Sequence, residues 1–152
     1  MTPVLSLLEA SVRSLFIERR SFARRQASFA VKLPVGVSVP NERLDPEAEE
    51  YPNPIMGHTR DLSETGLSLL LPTLSLGGEQ IDAENFPLRL VLSLPGGVAV
   101  VQATVVRAEA CETPDGACTY LVGARIKRMS DRDRKHYMAL LRSLDKGRND
   151  ER

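Results

Sequence analysis

Hydrophobic positions along the chain follow two periods. From Val4 to about Glu18, the apolar residues Val4, Leu5, Leu7, Leu8, Val12, Leu15, Phe16 and Ile17 recur at helical spacings. Pro3 suits the first turn of such a helix. The pattern predicts a short amphipathic helix whose apolar face packs on its own domain or on a second copy, with a membrane surface the less favoured alternative. After the basic segment ERRSFARRQ the period shortens towards two. Residues 28–39 alternate partly, and Pro34 requires an edge position or a bulge there because it cannot donate to a ladder. Residues 40–56 hold four prolines and almost no periodicity, which predicts a long surface loop.

Strands are then expected over Gly57–Leu62 and Gly66–Leu71, joined by a tight connection at Ser63–Thr65. Pro72–Glu79 reads as a turn region around Gly77-Gly78. Phe86–Leu94 places Phe, Leu, Leu, Leu and Leu on even numbers, the mark of a half-buried strand. Pro95-Gly96-Gly97 is a turn, Val98–Ala110 a long strand, Thr113-Pro114-Asp115-Gly116 a second turn, and Thr119–Lys127 the returning strand. A hairpin symmetric about 114–115 would set Cys111 opposite Cys118. Met129–Leu144 closes the pattern as a helix. Ser130 caps it, Asp133 stands three residues on, and Tyr137, Leu140, Leu141 and Leu144 form its apolar stripe. The last residues, KGRNDER, should fray.

These elements define an all-β-dominated class: six or seven strands in short antiparallel connections, with a helix at each end. No strand–helix unit repeats, so a doubly wound nucleotide fold is disfavoured and an antiparallel barrel with a capping helix fits best. At 152 residues the chain is one domain's worth of sequence, and 42% hydrophobic residues can build a core. The expected division is an N-terminal amphipathic helix over 1–18, a barrel domain over 19–145 and a disordered tail over 146–152.

Charge changes the picture locally. Lys plus Arg and Asp plus Glu both number 20, which argues against an overall basic nucleic-acid binder. Yet residues 1–39 carry six basic and two acidic side chains, 62–124 carry two and seven, and 125–152 carry ten and five. A basic arm and a basic end therefore bracket an acidic middle. The two cysteines, Cys111 and Cys118, are too few for a disulfide scaffold, and two free thiols are expected in a reducing compartment. His58 and His136 sit in no metal-ligand spacing. No apolar run is long enough to span a bilayer and no secretory signal pattern opens the chain, so the expected location is the cytoplasm. No nucleophile elbow, phosphate loop or metalloprotease helix appears, and no catalytic residue is assigned.

Two segments carry candidate chemistry. Arg19-Arg20-Ser21-Phe22-Ala23-Arg24-Arg25 sets four guanidinium groups within seven residues, and their planar forks match phosphate oxygens and stack on nucleobases. Arg20 and Arg24 share a side whether the arm is extended or helical. Asp61-Leu62-Ser63-Glu64-Thr65-Gly66 ends a strand. There Asp61 can accept two donors from a guanine edge or anchor an arginine, and Ser63 can donate to a phosphate or to the turn backbone. Gly66 permits a positive φ or a close backbone approach.

Together the two segments resemble the PilZ domain family of bacterial cyclic di-GMP receptors, marked by RxxxR in an N-terminal arm and [D/N]xSxxG on a barrel. Both are complete, as Arg20-Ser-Phe-Ala-Arg24 and Asp61-Leu-Ser63-Glu-Thr-Gly66. LPGG, VVRAE, GARI and SDRDRKHYMALL follow in the usual order, so the resemblance covers about residues 18–145. It implies a six-stranded antiparallel barrel with a C-terminal helix, and cyclic di-GMP held across the barrel surface under the arm. By position, Arg20 and Arg24 grip phosphates and guanine, Asp61 and Ser63 hold a guanine edge and nearby backbone, and Gly66 allows the turn. Arg19 stands where a charge favours an intercalated nucleotide pair, and Arg25 duplicates charge beside the motif. No cofactor beside that ligand is expected, and the absence of metal-ligand spacing predicts no metal. The resemblance implies an effector protein as partner, with homodimerisation a further use for the first helix.

Two functions follow as expectations. One is a single-domain cyclic di-GMP receptor that relays binding to a partner by ordering its arginine arm. The alternative is an interaction module of the same fold that binds no nucleotide. A nucleic-acid polymer is disfavoured as partner by the acidic middle and by aromatics at only 5% of the chain.

Overall fold

The structure is a computed structural model that describes residues 28–41, 43, 45, 48, 54–112 and 118–150. The expected helix over 1–18 and the arginine segment 19–25 lie outside the described residues, as does the turn at 113–117. Strands run β1 (Phe29–Ala30), β2 (Pro34–Ser38), β3 (Ile55–Leu62), β4 (Gly66–Leu71), β5 (Ser75–Leu76), β6 (Glu79–Gln80), β7 (Pro87–Leu94), β8 (Gly97–Glu112) and β9 (Cys118–Met129). A helix, α1, spans Asp131–Asp150.

Six strands close on themselves in the order β3-β2-β7-β8-β9-β4, with β4 pairing back to β3 and every pairing antiparallel. This is the expected six-stranded barrel with one C-terminal helix. Closure leaves no open edge among the six. The even-numbered leucines of β7, Leu88, Leu90, Leu92 and Leu94, point inward and meet Val35, Val37, Leu67, Leu69, Val101, Val105 and Val122. The lumen is thus filled by side chains, and a ligand must use the outer wall or an end.

Pro34 marks a break rather than a continuous strand. β1 and β2 both pair with β3, and between them the ladder is irregular but not lost: the Val31 amide donates to the Arg60 carbonyl at 3.1 Å, the Thr59 amide donates to the Leu33 carbonyl at 2.9 Å, and Leu33 is buried in the core. The buried Thr59 hydroxyl fills the gap, donating to the Val31 carbonyl at 2.6 Å and accepting from the Leu33 amide at 2.9 Å. The turn region at 72–80 forms its own small hairpin, with Gly77 and Gly78 at φ +58° and +85°. Both central residues have the positive φ that a tight two-residue hairpin loop demands. At Pro95-Gly96, proline followed by a glycine at φ +90° makes the turn between β7 and β8.

Three readings of the sequence change. β3 starts at Ile55, inside the segment expected as loop, because its first residues pair with Val37 and Gly36 of β2. The β8–β9 register sets Cys111 opposite Thr119, and Cys118 opposite Glu112. The two cysteines therefore do not face each other across the hairpin, and Cys111 is a free thiol whose sulfur lies 3.6 Å from the Thr119 hydroxyl. The helix runs on to Asp150, past Leu144 and into the segment expected to fray. Arg89, on the face of β7 opposite the leucines, is only 1% exposed, so the outer wall is covered where it pairs with Ser38 and Gln102.

α1 closes one barrel end. The Ser130 hydroxyl accepts the Asp133 amide at 3.1 Å, the expected cap, and the Arg134 amide reaches the Ser130 carbonyl at 2.8 Å. Asp133 does not complete a capping box. Its Oδ2 accepts the Val100 amide of β8 at 3.0 Å, occupying an edge that β9 leaves when it ends at Met129. Its Oδ1 has no hydrogen bond and lies 3.5 Å from Arg132 Nε. Tyr137 and Leu141 enter the barrel core.

Candidate functional site

The Asp61–Gly66 segment occupies the end of β3, a tight turn and the start of β4, at the barrel end that α1 covers. Asp61 stands opposite Ala30 on one side and Ser68 on the other. Its Oδ2 accepts the Ser68 hydroxyl at 3.0 Å, and Arg60 Nε lies 3.7 Å away. The Arg60 pair is a surface contact, with side chains 57% and 39% exposed, and contributes little to stability. A carboxylate offers about four lone-pair sites. Asp61 therefore keeps acceptor capacity towards solvent while its orientation is set by Ser68.

The turn is fixed by its own polar groups. The Ser63 amide donates to the Gly66 carbonyl at 2.8 Å, and the Ser63 hydroxyl donates to the same carbonyl at 3.0 Å. That hydroxyl also accepts the Gly66 amide at 3.2 Å. Thr65 accepts the Ile126 amide through its carbonyl at 2.9 Å, which ties the turn to β9. Of the two uses read for Ser63, the structure shows the turn backbone. Gly66 resolves likewise: it is not among the glycines with positive φ, and a Cβ there would stand 2.9 Å from the Ala124 carbonyl oxygen. Close approach to β9 is what excludes a side chain.

From the other side, the Tyr137 hydroxyl of α1 donates to the Ser63 carbonyl at 2.6 Å. Burial pushes the Tyr137 phenol well above its ordinary range, so it remains a donor at neutral pH. Sequence reading placed Tyr137 only in an apolar stripe; helical periodicity shows which face is buried and carries no signal for where a hydroxyl ends. His58, earlier on β3, has a lowered pKa, first from burial and then from the Lys32 ammonium nearby. Among the described residues no group of three or more His, Cys, Asp or Glu side chains is placed to hold a metal. Among them, too, no helix is long and apolar enough to cross a membrane.

The structure thus brings Asp61 at the end of β3, Ser63 in the turn and Gly66 at the start of β4 together at one barrel end. Arg19, Arg20, Arg24 and Arg25 lie outside the described residues. The architecture is a closed small antiparallel β-barrel with a packed lumen, a helix over one end and a polar turn beside that helix. The chain belongs to the PilZ domain family, whose model matches residues 18–143. Domains of this family are non-catalytic receptor and adaptor modules.

Solved structures share the fold. Bacillus subtilis MotI/DgrA, an inhibitor of motility, matches with a TM-score of 0.54 and 16% identity over 84% of this chain and 51% of that one. The PilZ domain of Escherichia coli YcgR, with c-di-GMP, matches with a TM-score of 0.56 and 13% identity over 84% and 95%. The K. pneumonia MrkH–c-di-GMP complex matches with a TM-score of 0.59 and 15% identity over 84% and 55%. The chain spans about half the length of MotI/DgrA and MrkH and nearly all of the YcgR domain. No curated protein matches at the level of sequence.

Proposed function

We propose that the chain is a cyclic di-GMP receptor that binds the nucleotide on the outer wall beside Asp61 and relays its occupancy to an effector protein. The observation that carries this reading is the pairing of Ala30 with Asp61. The arginine arm runs directly into β1, and Arg24 precedes Ala30 by six residues. A chain that long spans at most ~20 Å even when fully extended. Covalent connection alone therefore holds Arg24 in the neighbourhood of a ligand that lies against Asp61, and limits Arg20, ten residues before Ala30, to within ~36 Å of it.

The chemistry is complementary. The Asp61 carboxylate accepts the N–H donors of a guanine edge, and Arg20 and Arg24 supply forks for the phosphodiesters. Arg19 and Arg25 add charge around that pair. The turn is already held by Ser63, Gly66 and Tyr137, so little ordering cost falls on that part of the site when ligand arrives. Two relatives of the same fold are described with c-di-GMP, which supports the choice of ligand. The output is the ordering of the arm, which offers a partner protein a surface that the free chain lacks.

Calorimetric titration of the full chain with cyclic di-GMP tests the reading. Dissociation constants of about 1 μM or below, near −8 kcal/mol, are expected. No heat at about 100 μM protein with excess ligand would instead favour the interaction module that binds no nucleotide.

A further inference from the structure

A row of residues crosses the outer wall beside the motif. Asp61 of β3 pairs with Ser68 of β4, Ser68 with Gly123 of β9, and Gly123 with Arg107 of β8. Their inward neighbours Leu67, Leu69, Val122 and Ala124 belong to the core, which puts Ser68 and Gly123 on the outside. A register shift between Val105 and Arg107 resets the alternation of β8, so that Arg107 joins them.

Gly123 leaves the row open, and Arg107 uses the space. The Arg107 Cγ lies 3.3 Å and its Nε 3.5 Å from where a Gly123 Cβ would stand, so the stem rests across the neighbouring strand. Among the described residues Arg107 has no ion-pair partner. The row therefore has a carboxylate at one end, a hydroxyl that orients it, a bare strand, and a cationic fork laid over that strand. Asp61 and Gly123 are two strand spacings apart, roughly 9–10 Å. A purine lying flat with a hydrogen bond of about 2.9 Å at each end fits that gap.

We propose that Arg107 is a specificity-determining residue, reading the O6 and N7 acceptors of the guanine whose N1 and N2 donors face Asp61. The inference rests on the cyclic di-GMP reading above and deepens it. Guanine presents acceptors on that edge where adenine offers one acceptor and one donor, and a guanidinium matches the former in two parallel bonds. A surface arginine stem lying on a glycine strand has a purely structural use as well, in covering backbone. The test has to separate the two.

The full chain is titrated with cyclic di-GMP and with its 7-deaza analogue, which keeps the Watson–Crick edge and O6 and loses only N7. The unsubstituted protein is expected to bind the analogue about 10-fold more weakly. Arg107→Ala should weaken cyclic di-GMP binding by about 10-fold to 100-fold and bind the two ligands alike. Arg107→Lys should recover little, since a point charge lacks the fork. Gly123→Ala, which crowds the stem without removing charge, should cost part of the discrimination. Arg142→Ala, on the exposed side of α1, removes the same charge and should change neither affinity. Equal weakening of both ligands by Arg107→Ala, with discrimination intact, overturns the proposal, as does no change at all. Failure of the unsubstituted protein to bind cyclic di-GMP overturns the receptor reading itself.

Discussion

The Tyr137 hydroxyl and the Ser63 carbonyl are 2.6 Å apart, so the C-terminal helix is bonded directly to the turn of the DxSxxG motif. The ring of Tyr137 is fully buried in the barrel core, and its oxygen emerges at the turn. Any displacement of that turn must therefore either carry α1 with it or break the bond.

Tyr137→Phe keeps the ring and deletes the bond. Stability in urea should fall by about 1 kcal/mol, and cyclic di-GMP affinity by a few fold because the turn loosens. Tyr137→Ala also empties the core and should cost about 3–5 kcal/mol. Equal unfolding midpoints for Tyr137→Phe and the parent chain would show that the bond contributes nothing.

Gly66→Ala introduces a methyl 2.9 Å from the Ala124 carbonyl oxygen, a backbone atom that cannot swing aside. The β4–β9 ladder must shift, at a cost of about 1–3 kcal/mol. Denaturant unfolding measures this without any ligand, and an unchanged midpoint would contradict the close approach of β4 to β9.

Asp133→Ala removes the acceptor of the buried Val100 amide and leaves that donor unsatisfied at the helix–barrel junction. A loss of about 1–3 kcal/mol is expected, with little dependence on salt because the bond is buried. A loss that vanished at high salt would assign the effect to the exposed Arg132 contact instead.

His58 reports on pH. Burial and then Lys32 hold its pKa below the ordinary 6.5. The unfolded chain takes up a proton near pH 6.5, the folded barrel only at lower pH. This contribution to stability is complete above 6.5 and declines as pH falls from there through the folded-state value. Ring-proton NMR should give a midpoint below 6.5, and Lys32→Ala should raise it part of the way. A midpoint at or above 6.5 in the parent chain would contradict the assigned environment.

Much of this architecture was legible in the chain. The Gly66–Leu71 strand matches its expected bounds, and the even-numbered leucines of β7 line the core as their period requires. The motif residues Asp61, Ser63 and Gly66 lie together on and around the β3–β4 turn because they are local in sequence. Long-range relations were less visible. The β8–β9 register is slipped by one residue from the symmetric pairing, which sets Cys111 opposite Thr119 rather than Cys118. Nothing local in VVRAE marks Arg107, because the relation that distinguishes it is its register with Gly123 on β9. The Tyr137–Ser63 bond joins residues 74 positions apart, and no local pattern encodes it.

The arm and the carboxylate together make the central claim. If the arm supplied only positive charge, alanine at Arg19, Arg20, Arg24 or Arg25 would weaken binding about equally, and salt would erase the differences. Shaped contacts by Arg20 and Arg24 should instead cost about 2–4 kcal/mol each, with Arg20→Lys recovering little and Arg19 and Arg25 mattering far less.

The most direct measurement is calorimetric titration of Asp61→Ala with cyclic di-GMP beside the parent chain. Removing a negative charge helps any purely electrostatic binder of a dianion, and removing the guanine acceptor harms a receptor. The account predicts severe loss, on the order of 100-fold or more. Tighter binding by Asp61→Ala would contradict it.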